Sequence, residues 1–200
     1  MKLSPILPLA AFAITGVSAA PTRRSLDCKP HGKPSALLFV PPDTPGEPPR
    51  TLYFAGNVES GRATMAWNRD SNEHFQFFSC EAPSDKFRTS GDGIFGQVRS
   101  VDNPDYCLTP GDVVPHGVDK VDADEEGHYN TVQLKPCASK DSKTARLQWF
   151  NGVRRGDRLR IAQVGYKGDQ VRRSPEPMGP HDHTMLFVKD DGDQYMELDL

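Results

Sequence analysis

The chain has 200 residues, with 24 Lys and Arg against 27 Asp and Glu and a formal charge of −3. That balance leaves no basic stripe for a nucleic-acid surface. Eighteen Pro, 17 Gly and a hydrophobic content of 36% favour short strands and many turns over long helices.

Residues 1–19 read as a signal peptide. Lys2 supplies the positive start, Ile6 to Val17 is an apolar run broken by Pro8 and Thr15, and Ser18-Ala19-Ala20 suits cleavage after Ala19. The run is shorter than the ~20 residues a bilayer span needs. No second run follows, so a secreted, extracellular protein with no membrane anchor is expected. Arg23-Arg24 marks residues 20–24 as a candidate pro-segment, the alternative being two surface arginines. Loss of Lys2 with the signal peptide takes the charge to −4, and loss of both arginines to −6. The remaining residues, 25–200, amount to one domain.

Four cysteines in an exported chain point to two disulfides, for which three pairings exist. Cys107 with Cys137 is preferred because both fall in one candidate repeat, which leaves Cys28 with Cys80. No pair has close metal-ligand spacing.

In chain order, Lys29 to Pro34 reads as a turn and Ala36 to Val40 as a short strand. Pro41 to Pro49 holds five prolines and makes a stiff loop. Thr51 to Phe54, Ala63 to Trp67 and His74 to Ser79 read as further strands, with a turn at Gly56-Asn57. A second block follows with strands at Phe95–Val98, Tyr106–Thr109, Thr131–Leu134 and Arg146–Phe150. The third has Leu159–Val164, Val171, Thr184–Val188 and Gln194–Leu198, with Arg172 to His183 as a Pro-rich loop. No helical periodicity exceeds about two turns.

The three blocks, approximately residues 28–80, 81–150 and 151–200, each close on Gln, an aromatic residue, then a large apolar one: Gln76-Phe77-Phe78, Gln148-Trp149-Phe150 and Gln194-Tyr195-Met196. In such a repeat the amide latches onto loop backbone while the residue two places on enters the core.

With Gly96-Gln-Val-Arg-Ser100, Cys107-Leu108, Val132-Gln-Leu134, Cys137 and Gln148 in this order, the second block resembles the ricin-B-type β-trefoil lectins. The resemblance implies an all-β trefoil of three four-strand repeats. In that family a sugar is held by an Asp two places after the Cys, an aromatic after the third strand and an Asn before the closing Gln. Here the second block carries Thr109, Lys135 and Leu147 at those positions, and only Gln133 matches a family sugar contact. The first block keeps Trp67 as its aromatic but has Tyr53 and Phe75 for the Asp and Asn. In the third, Asp193 precedes Gln194.

Other signals are weaker. His181-Asp182-His183 lacks a third ligand, and Asp190, Asp191 and Asp193 lack calcium-loop spacing. Gly91, Gly93 and Gly96 are turn glycines with no phosphate-loop pattern after them. Asp119 to Glu126 is an acidic insertion. No histidine adjoins a Ser or Cys nucleophile motif. The expectation is therefore a non-enzymatic binding protein without metal or cofactor, and its partner is a glycan. The ligand contacts are an aromatic platform at Trp67 or Tyr106 with Asp102, Asn103, Gln133 and Asp193. The alternative is a secreted module that binds a secreted or host protein, such as a protease inhibitor or effector, contacting its partner through Pro41–Pro49 and Ser174–Pro180.

Overall fold

A computed structural model of the chain describes residues 26–41, 48–55, 64–67, 73–111, 132–167, 173–177, 185–189 and 195–200. For 55, 64, 67, 173–177 and 185–189 it describes the backbone alone. The signal peptide, Arg23-Arg24, the Gly56-Asn57 turn, the Asp119–Glu126 run, Val171, His181–His183, Asp190, Asp191, Asp193 and Gln194 lie outside the described residues.

The strands are β1 (Cys28–Ser35), β2 (Leu37–Val40), β3 (Arg50–Ala55), β4 (Thr64–Trp67), β5 (Phe75–Cys80), β6 (Ile94–Ser100), β7 (Tyr106–Thr109), β8 (Gln133–Pro136), β9 (Phe150–Arg155), β10 (Arg158–Gln163), β11 (Arg173–Pro177), β12 (Met185–Lys189) and β13 (Tyr195–Asp199). One short helix, α1 (Lys143–Leu147), precedes β9. All pairings are antiparallel within one curled sheet. Starting at β1, hydrogen bonds run to β5, β6, β9, β10, β13 and then β2. Only Ala36 separates β2 from β1, so the path returns to where it began. The hairpins β3–β4, β7–β8 and β11–β12 hang from this ring through β2, β6 and β10. Hairpins meet where Thr64 of β4 pairs with Gln133 of β8.

Strand alternation fills the ring. Leu37 and Phe39, Phe75 and Phe77, Leu159 and Ile161 point inward, while Leu38, Val40, Gln76, Phe78, Arg158 and Arg160 remain part-exposed. With Leu52, Phe54, Met65, Val98, Leu108, Leu134, Phe150, Met196 and Leu198 they form the main core. Each such Phe or Leu stabilises the fold by roughly 1.5–3 kcal/mol on burial. A second cluster of Leu26, Phe87, Ala145, Trp149 and Val164 lies beside it. Phe87 meets Trp149 and Tyr166 edge-on, with ring centroids 5.2 and 4.9 Å apart. The Trp149 indole N–H donates to Arg88 O at 2.7 Å, which satisfies its one polar atom. Both disulfides join the expected partners, Cys28 to Cys80 and Cys107 to Cys137.

Four local expectations are corrected. Lys29–Pro34 is not a turn but part of β1, with a register shift after His31 and Gly32 at φ +72°. Its prolines are tolerated because, among the described residues, β5 is the only strand hydrogen-bonded to β1. Arg146–Phe150 is not a strand: Ser142 Oγ caps α1 by accepting from Ala145 N–H at 3.1 Å, and the strand starts at Phe150 and runs on to Arg155. Ala145 and Trp149, four apart, enter the second cluster while Phe150 enters the first. The loop Arg172–His183 contains β11 despite Pro175 and Pro177, which lie beyond the single β10 pairing at Gln163–Arg173. The third strand of the second block starts at Gln133 rather than Thr131.

The closing latch takes the expected form at Gln148. Its buried amide accepts from Ala138 N–H at 2.8 Å and donates to Thr109 Oγ1 at 2.8 Å and Pro136 O at 3.2 Å, and Phe150 is fully buried. In the third block Met196 is likewise in the core. The first block departs from the pattern. Phe77, next to Gln76, is the core residue, and Gln76 Nε2 donates outward to Gly32 O at 2.8 Å. The side chain in the latch position there is Glu73, two places before buried Phe75, whose Oε2 accepts from Phe54 N–H at 2.8 Å.

Candidate functional site

The connection from β6 to β7 is a tight turn held from several sides. Val101 N–H donates to His74 O at 2.9 Å, Asn103 N–H to Ser100 Oγ at 3.1 Å and Tyr106 N–H to Asn103 O at 2.9 Å. Asp105 O accepts from Cys137 N–H at 2.8 Å, so the Cys107–Cys137 bridge anchors the turn to the strand after next. On this frame Asp102 and Asn103 are exposed, and Tyr106 is half-buried with its ring against the main core. Glu73 borders the turn. Burial holds its carboxyl above the usual range, the Phe54 N–H opposes this, and the Asp102 charge adds to it.

Three of the six expected ligand residues, Asp102, Asn103 and Tyr106, therefore stand together. Gln133 does not join them. It faces Thr109 at the opposite end of the β7–β8 hairpin, whereas Tyr106 faces Pro136, a separation of roughly 10 Å along the strand. Trp67 lies on β4 opposite Leu52, on a different hairpin, and Asp193 lies outside the described residues.

Of the family's sugar positions in the second block, the one at Thr109 is engaged within the fold. Thr109 is buried, donating to Cys107 O at 2.9 Å and accepting from Gln148, which leaves its hydroxyl no role toward a ligand. Lys135 is exposed opposite Cys107, and Leu147 ends α1. In the first block Phe75 is a core residue.

Sequence reasoning missed Arg99. This residue of β6 stands across from Gln76 on one side and Cys107 on the other. Its guanidinium lies 4.4 Å from the Phe78 ring centroid, and one Nη donates to Gln97 Oε1 at 2.9 Å. Its Nε is buried without a hydrogen-bond partner among the described residues. Burial pulls its pKa down, against the attraction of Asp105. The only advance signal was a cation placed inside a strand between Val98 and Ser100, where a polar outer face and a core face look alike.

Elsewhere Asp141 gathers Ser84 Oγ at 2.9 Å, Tyr166 Oη at 2.7 Å and Lys86 Nζ at 3.4 Å, and these contacts, Tyr166 foremost, hold its carboxyl below the usual range. The network pins the β5–β6 connection to the segment leading into α1. Among the described residues no three His, Cys, Asp or Glu side chains converge as a metal site, and no helix is long and apolar enough to cross a membrane. No protein-family model matches the chain, and no curated protein is significantly similar to it in sequence.

Proposed function

We propose that this protein is an exported, non-enzymatic binding module, a β-trefoil related to the ricin-B-type lectins, whose ligand is a glycan. The trefoil reading is supported by the ring, in which β1 and β2, parted by Ala36 alone, act as one of six strands, with one hairpin per block, and by the latch side chains Gln148 and Glu73 just ahead of the last ring strand of their blocks. Two formed disulfides suit an oxidising compartment.

The glycan reading rests on the turn that presents Asp102, Asn103 and Tyr106 side by side on hydrogen-bonded backbone. Carboxylate and amide oxygens accept from ring hydroxyls, and a phenol ring covers the C–H face of a sugar. Fixing the turn beforehand lowers the ordering cost of binding. Glycan-array binding should be lost in Asp102→Ala, Asn103→Ala and Tyr106→Ala, with thermal midpoints of the first two near wild type because both side chains are exposed. Failure of the wild-type protein to bind any glycan sinks this reading.

One observation favours a protein partner instead: Thr109 and Phe75 are locked into the fold, so neither of the first two blocks keeps the lectin acceptor set. A pull-down in which free sugars leave the captured protein in place decides for that reading.

A further inference from the structure

Two arginines on the outer face of the ring have opposite surroundings. Arg158 of β10 donates to Glu197 at 2.8 Å and lies 3.8 Å from Asp199, and the neighbouring Arg160 stacks 4.0 Å over Tyr195. Arg158 is thus neutralised by its own neighbouring carboxylates. Arg99 is not. Among the described residues it has one acceptor, the neutral Gln97 Oε1, and no carboxylate within ion-pair distance. It is nevertheless half-buried, with Nε shut off from solvent.

A partly desolvated cation with no carboxylate in ion-pair contact costs stability, and the attraction of Asp105 does not outweigh the burial. Gln97 accepts from the guanidinium through a neutral amide oxygen, which brings no compensating charge. The Phe78 ring fixes the guanidinium plane; with Nε shut off and one Nη already bonded to Gln97, the Nη edge of the fork is what can meet a carboxylate. Along the same row of the sheet, Arg99 faces Cys107 and Cys107 faces exposed Lys135, which places a second cation on this face roughly 10 Å away across two strand spacings. Arg99 stands one residue before the end of β6, where the turn described above begins, so the fork adjoins that turn.

We infer that this face, with Arg99 stacked on Phe78 and Lys135 beyond the Cys107–Cys137 bridge, takes an acidic sugar, its ring carboxylate paired with the Arg99 fork. The inference rests on the glycan reading and narrows it to carboxylate-bearing saccharides. The carboxylate supplies the ion-pair contact that Asp105 does not make, and Lys135 adds long-range attraction that salt screens.

The test is calorimetric titration of the full disulfide-bonded protein with uronic-acid oligosaccharides and with the same oligosaccharides after carboxyl reduction. Wild type should prefer the acidic form by about tenfold or more, the scale of one charged hydrogen-bond pair. Arg99→Gln should erase the preference while its thermal midpoint stays level or rises, and Arg99→Lys should keep part of it. Lys135→Gln should weaken binding modestly and reduce its salt dependence. Equal binding of acidic and reduced forms, or an unchanged preference in folded Arg99→Gln, overturns the inference and leaves the glycan reading standing. No binding of either form, together with a blank glycan array, overturns both.

Discussion

Replacing Gln148 by alanine tests whether the latch holds the second block together. The amide is fully buried and serves three groups: Ala138 N–H, Thr109 Oγ1 and Pro136 O. Thr109 is buried beside it, while Ala138 and Pro136 are reached by water more easily. A buried polar group left without a partner costs about 1–3 kcal/mol. One such loss plus two partly rehydrated ones gives a destabilisation of about 3 kcal/mol. For a chain of this size that lowers the thermal midpoint by roughly 6–12 °C. Urea titration with both disulfides intact should show a lower midpoint at unchanged slope, since the unfolded surface is unaltered. A change below about 0.5 kcal/mol, the level of an ordinary surface substitution, would refute the latch.

The converse holds at Glu73. Its carboxyl is raised by burial, so between the ordinary and the folded pKa the native state binds more protons, and stability falls as pH rises through that window. Glu73→Gln keeps an oxygen for Phe54 N–H and removes the charge. Stability at pH 7 should match or exceed wild type, with a flatter dependence above pH 4.5, read from urea midpoints across the range. Asp141 has the opposite sign: its depressed pKa contributes stability above the ordinary carboxylate range that is lost as pH falls through the folded value. Asp141→Asn should therefore be less stable than wild type at pH 7 and equal to it in strong acid. At Gly96 a Cβ would overlap the Phe78 carbonyl, and Gly96→Ala should cost at least about 1–3 kcal/mol in chemical denaturation. Removing the Cys107–Cys137 bridge by double serine substitution frees a loop with a sequence separation of 30 and should cost about 3.5 kcal/mol by the same assay.

Much of the strand framework was legible because inward-pointing residues alternate at period two, as in Leu37-Phe39, Phe75-Phe77 and Leu159-Ile161. Tyr106–Thr109 matched to the residue, and both disulfides followed from block membership. The misreadings share a cause, local chemistry overruled by partners distant in sequence. Lys29–Pro34 has the composition of a turn but gains ladder bonds from β5, and Pro175 sits in a strand because one flank needs no donor. Arg146 to Phe150 alternates like a strand, yet a serine cap and two separate cores divide it into helix and strand. The first-block latch was misplaced because Gln76-Phe77-Phe78 copies the motif three residues too late, while Glu73 does the work with a different side chain. For the candidate site, composition pointed to Asp102, Asn103 and Tyr106, which one turn unites, but not to Gln133, which the hairpin carries away. Arg99 could not be picked out, since its burial without an ion-pair contact among the described residues is a property of the assembled sheet.

The return of the ring to β2 also orders events during synthesis. β13 completes the path by pairing with β10 on one side and β2 on the other, and it follows every other described strand. Until it arrives, β2 and β10 each expose an open edge, and the earliest strand must wait for the latest. Contacts of such sequence separation are costly to close and slow to form. The half-built barrel is therefore the species most exposed to misassembly. Cys28–Cys80 and Cys107–Cys137, each confined to an earlier part of the chain, can tie down its first two blocks before the last strand has been made.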